Sequence, residues 1–207
     1  KAVLKHQKAG HLYKDDSDND VNNCVFCGEK KETKQDEDKD DSDEPATYDK
    51  PVKLSKENIK EYNLEDKYIG YYAIKTASEL GWFSNYTNVV YNPASEEEKA
   101  EIENNNANVV LLNDIDLADE QWTPAGYYNT GYSGVFDGRN HVISNLKCTG
   151  DFAAMFAATK TGAVIKNVGL KDVDISGESY AAAFVAGTNY GSIINCYSTG
   201  EISNNDS

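Results

Sequence analysis

The sequence predicts a mainly β protein whose C-terminal half is a solenoid of parallel strands, and three observations carry that reading. From Val109 onward the apolar runs shrink to three or four residues and are punctuated by Gly, Asn and Asp, as in VVLL, GVFDG, HVISNL and GSIINCYSTG. A short pattern, Ile-x-Asn followed by an apolar residue or a thiol, recurs three times in that region. Short strands at close spacing indicate an all-β array. Third, no stretch approaches the ~20 consecutive apolar residues of a membrane-spanning helix.

The repeat comes first because it sets the architecture. Its copies are Ile143-Ser144-Asn145-Leu146, Ile165-Lys166-Asn167-Val168 and Ile193-Ile194-Asn195-Cys196, at intervals of 22 and 28 residues. Phe136, Phe156 and Phe184 precede the three copies, and Gly162 and Gly191 mark the turn before the second and third. One such unit cannot bury its apolar face alone, whereas stacked units can. The expectation is a coil with one repeat per turn, in which Ile143, Ile165 and Ile193 form one inward column and the phenylalanines another. Leu146, Val168 and Cys196 would form a third, which sets Cys148 apart from Cys196 and argues against a disulfide between them. Asn belongs where the backbone bends, because it tolerates left-handed dihedrals and its amide can bond locally.

Composition divides the chain into four regions. Residues 1–34 are a small Cys/His element, 35–50 an acidic flexible linker, 51–108 a capping segment with short helices, and 109–207 the coil. In the third region Ser55 is placed to start a helix through Ile59 and Tyr62. Thr76 with Glu79, and Ser95 with Glu98, have capping-box spacing. Strand-like YYAI (71–74) precedes Thr76. Net charge is −15. Thirteen acids against four lysines between Asp15 and Glu44 leave that stretch at −9. Such a balance repels phosphate backbones and argues against nucleic acid as a partner. Arg139 is the one arginine.

Taken in order, YAIKTASELGWFSNYTN, VVLLNDIDL, QWTPAG, GVFDGRNHVISNL, GAVIKNVGL and GSIINCYSTG resemble the GLUG-motif repeats of bacterial cell-surface proteins and the segment that precedes them. The resemblance covers residues 72–200. It implies a right-handed parallel β-helix on a secreted or wall-attached protein, hence an extracellular or cell-surface location. Ala125 after WTP, and Met155-Phe156-Ala157 in place of Leu-Phe-Gly, depart from the pattern. About three turns are present without an evident C-terminal cap, so the reading expects the natural chain to continue.

His6, His11, Cys24 and Cys27 are four candidate zinc ligands spaced H-x4-H-x12-C-x2-C. Cys-x-x-Cys sets two thiolates on one tetrahedral metal through a tight knuckle, and Gly28 suits that turn. A thirty-residue element without its own core would gain its folding energy from the metal. The segment resembles the Cys-x-x-Cys-Gly ribbons of clostridial surface proteins. The alternative is a strained Cys24–Cys27 disulfide.

Catalytic candidates are few. Asp114 and Asp116 flank Ile115 at strand spacing and would face one side. Asp137 and Arg139 lie in a turn, and His141 reads as a solvent-facing strand residue. Asp16-x-Asp18-x-Asp20 and Asp36-x-Asp38-x-Asp40 lack the glycine at position six and the glutamate at position twelve of a calcium-binding EF-hand loop. Tyr127, Tyr128 and Tyr132, with Trp122 and Trp82, are expected to shield the start of the coil rather than to stack on sugars. The function expected is that of a non-enzymatic surface module, a stalk or adhesin-like scaffold. Its partners would be a glycan or a surface protein of host or bacterium. The alternatives are part of a carbohydrate-active β-helix enzyme, whose catalytic turns lie elsewhere, and a metal-dependent interaction module.

Overall fold

The computed structural model describes residues 15–16, 19–20, 48–88, 107–126 and 131–204. Contacts divide the chain into residues 5–47 and a second unit made mainly of residues 48–207. In the first, β1 (Asp15–Asp16) pairs antiparallel with β2 (Asn19–Asp20). The Ser95–Glu98 capping signature and the histidines and cysteines of the N-terminal element lie outside the described residues.

The second unit is a parallel β-solenoid of about three turns, led in by a short antiparallel strand and a helix. β3 (Val52–Lys53) runs antiparallel to β4 (Tyr72–Ile74). From β4 the first face is parallel throughout: β5 (Val109–Leu111), the start of β7 (Val135–Ser144), the start of β9 (Val164–Ala181) and β10 (Ser192–Ile194). On the second face, β6 (Ile115–Asp116) pairs with the end of β7, which pairs with the middle of β9. The third face stacks β8 (Lys147–Ala153), the end of β9 and β11 (Tyr197–Asn204), β11 beginning on the second face. The parallel sheet therefore starts at Tyr72, earlier than the predicted onset near Val109.

Register corrects the expected columns. The first-face column is Tyr72, Val109, Phe136, Ile165 and Ile193, with Phe136 in the place expected for Ile143. Ile143 lies on the second face, between Ile115 and Leu170. Successive turns on the first face are thus 27, 29 and 28 residues apart, from Val109 through Phe136 and Ile165 to Ile193. The 22-residue interval spans two different faces. Leu146 likewise leaves the column of Val168, because Leu146 O accepts from Asp174 N, one position beyond Val173. Phe136 and Phe156 do not stack turn upon turn. They belong to different columns and meet edge to face inside the coil, with ring centroids 5.7 Å apart. Phe156 is aligned with Ala125 and Val185.

The interior is continuous and apolar, from Leu80 and Phe83 through Leu111, Phe136, Ile143 and Leu146 to Leu170 and Ile175. Helix α1 (Ala77–Thr87) reaches into it. Its capping box is complete: the Thr76 hydroxyl accepts from Glu79 N, and the Glu79 carboxylate accepts from Thr76 N. That pairing satisfies two of the amides left orphaned at a helix start. The predicted helix after Ser55 is a single 3-10 turn, Ile59–Tyr62. The Ser55 hydroxyl accepts from Glu57 N and Asn58 N and tightens the chain there. A second 3-10 turn covers Asp66–Tyr68. Leu54, Ile59 and Tyr68 pack outside the first face on Ala73 and Val110, forming a separate small core.

Candidate functional site

Polar side chains connect successive turns at the two bends between faces, and also through Gln121–Thr149, Asp151–Ser179 and Thr159–Asn189. At the first bend Arg139, Asn140, Asn167 and Asn195 have φ of 51°, 68°, 52° and 52°. At the second, Asn145 and Asp172 have φ of 55° and 53°. This left-handed region is disfavoured for most L-residues and best tolerated by Asn and Asp. Asn195 Nδ2 donates to Asn167 Oδ1 at 2.8 Å, and Asn167 Nδ2 donates to Asp137 Oδ1 at 3.1 Å. The amides thus form a ladder that ends on a carboxylate.

That carboxylate is the one buried charged side chain among the described residues, 2% exposed. Asp137 Oδ2 accepts from the Tyr68 hydroxyl at 2.9 Å and lies 3.3 Å from Lys166 Nζ. Its Oδ1 also accepts from Arg139 N at 3.0 Å. Burial alone would raise its pKa. The bonds from Arg139 N, Asn167 and Tyr68, together with the Lys166 charge, outweigh burial and hold the carboxyl below its ordinary value. Burial, and then the bond to Asp137, push the Tyr68 phenol up to about 12.

Asp114 and Asp116 sit on the exposed shoulder between turns. Asp114 Oδ1 accepts from Val142 N at 3.0 Å and pairs with His141 Nδ1 at 3.0 Å. His141, expected to face solvent, is therefore partly covered and engaged by the preceding turn. Asp116 Oδ1 accepts from Ala118 N and from Asn145 Nδ2, both at 2.8 Å. The Val142 amide and His141 lower the Asp114 pKa, and the Ala118 amide and Asn145 lower that of Asp116. Carboxylates held ionised in this way make weak general bases and poor acids near neutral pH. Of the predicted candidates, the structure brings His141 to Asp114, and the Arg139 backbone to Asp137. Asp137 instead belongs with Tyr68, Asn167 and Lys166, partners that spacing did not reveal.

The predicted metal ligands His6, His11, Cys24 and Cys27 lie outside the described residues. Among the described residues, no group of three or more His, Cys, Asp or Glu side chains is placed to hold a metal ion. Compared with protein-family models, curated proteins and solved structures, the chain matches none of them. Among the described residues no helix is long and apolar enough to cross a membrane.

Of the aromatics expected to shield the start of the coil, Tyr132 and Trp122 are buried. Tyr132 is fully buried and donates its hydroxyl to Ala107 O, and Trp122 donates Nε1 to Met155 O. Tyr127 and Tyr128 are outside the described residues. Trp82 stacks on Tyr86 along α1, with centroids 4.6 Å apart. Cys148 and Cys196 are free thiols; Cys148 is buried against the third face, which pushes its pKa up to about 12.

Proposed function

We propose that this chain is a non-enzymatic extracellular surface module, a stalk or adhesive scaffold whose coil is a right-handed parallel β-helix of the GLUG-motif kind. In this reading α1 and its flanking segment cap the N-terminal end. The observation that carries it is the use made of the acids. Asp114, Asp116 and Asp137 each accept, at Oδ1, a hydrogen bond from the next turn, as staples rather than as reacting groups. The sequence resemblance over residues 72–200 supports the cell-surface setting, and a glycan or surface protein is the partner it implies. The Cys/His element is proposed to bind zinc through His6, His11, Cys24 and Cys27.

The activity test is direct. Incubation of the full chain with pectins, mucins and host glycans is expected to release no new reducing ends or unsaturated products. Turnover that disappears in Asp114→Asn or Asp116→Asn would replace the scaffold reading with the carbohydrate-active one. Protease shaving of intact cells is expected to release peptides of this chain, and their retention inside the cell would overturn the location. Metal analysis is expected to find one zinc per chain, lost in Cys24→Ser with Cys27→Ser. Metal-free protein from zinc-supplemented expression would end the zinc proposal.

A further inference from the structure

We propose that residues 51–71 are a releasable strap, latched to the outside of the coil through the Tyr68–Asp137 hydrogen bond, and able to open while the coil stays folded. The strap's own structure is slight: β3 of two residues and two 3-10 turns. Its apolar side chains Leu54, Ile59 and Tyr68 form a core with Ala73 and Val110 that is separate from the coil interior. Lifting it therefore removes no side chain from the interior, where Phe83, Phe136 and Phe156 pack. Regions with few buried apolar contacts of their own are the ones that open below the global unfolding transition.

The latch is asymmetric. Tyr68 reaches the coil through one polar contact, its hydroxyl on Asp137. Asp137 has three further partners, Arg139 N, Asn167 Nδ2 and Lys166 Nζ, and all belong to the coil. When Tyr68 leaves, the carboxylate stays hydrogen-bonded and ion-paired, so opening does not strand a buried charge, the event that ordinarily makes such a contact prohibitive to break. The released phenol finds water. Beside the apolar packing on Ala73 and Val110, the ties among the described residues include the two-residue β3–β4 pairing and the cation–π contacts of Lys53 over Tyr72 and Lys75 over Tyr62. What opening uncovers is the buried start of the outward row of the first face, Ala73, Val110 and Asp137, which continues turn by turn through Lys166 to the already exposed Ile194.

Hydrogen exchange on the full chain tests this. Tyr68→Phe removes one hydrogen bond to a charged group and is expected to speed exchange at the strap amides of Leu54, Leu64 and Gly70 by about ten-fold or more. The coil amides of Asn145, Phe156 and Asp174 should keep their rates. Ile59→Ala, which thins the strap's apolar contact without touching the latch, is expected to give the same split. Equal acceleration of strap and coil amides would show that the strap opens only when the whole unit unfolds. Unchanged strap amides in Tyr68→Phe would show that the bond is no latch. Either result overturns the proposal.

Discussion

Gly138 shows how tightly one residue can be constrained by the stacking of turns. It follows Asp137 on the first face, and a Cβ built there would stand 2.5 Å from Asn167 O and 2.5 Å from Val168 Cβ in the next turn. Neither neighbour can retreat, since one is backbone and the other is packed in the wall. Gly138→Ala is expected to destabilise the protein by about 3 kcal/mol, as overpacking does. Gly162 has φ of +96° and open space around it, so Gly162→Ala meets backbone strain alone, about 1 kcal/mol. Urea unfolding of the two variants checks the order, and equal effects would contradict it. Cys148 belongs to this scale too. Its buried thiol, with a pKa of about 12, is expected to resist iodoacetamide at pH 8 in the native state and to react in urea, read by peptide mapping.

At the scale of elements, α1 joins local signals to the core. Phe83 lies within 5.4 to 6.2 Å of the ring centroids of Tyr132, Phe136 and Phe156. Phe83→Ala is therefore expected to cost about 3–5 kcal/mol, and Thr76→Ala, which removes the cap alone, about 1 kcal/mol. Thermal denaturation distinguishes the two, and similar losses would mean that the ring cluster is not what anchors the helix. The capping box was legible because its chemistry is complete within four residues. The Ile-x-Asn signal was legible as well, but it did not say which bend it marks. Asn145 turns the second bend, whereas Asn167 and Asn195 turn the first, and all three have nearly the same left-handed φ. Identical local geometry writes an identical local pattern, so the pattern alone places Ile143 on the wrong face. The Tyr68–Asp137 bond joins residues 69 apart in sequence. No spacing rule reaches that far, and Asp137 on its own reads as an ordinary turn acid.

For the whole molecule, the acids that staple turn to turn link stability to pH. Asp114, Asp116 and Asp137 are each held below the ordinary aspartate value of 3.8 by bonds that the folded state alone supplies. A carboxyl with a depressed folded pKa contributes stability that is fully present above its unfolded value and is lost as pH falls through the folded one. The urea midpoint should thus stay level on this account from pH 7 to about 5 and fall below about 4. General relief of repulsion acts in the opposite direction, because a chain of net charge −15 loses its excess negative charge as acids protonate. A variant separates the two effects. Asp137→Asn leaves the overall charge almost unchanged but removes the buried carboxylate, so it should be less stable than the parent at pH 7 and should lose less on going to pH 3. The gap between the two proteins should narrow as pH falls, because protonation gives the parent the same neutral side chain in all but one atom. A constant gap across the range would mean that Asp137 acts through shape alone. A narrowing gap would place part of the cohesion between turns in the ionised form of a single carboxylate.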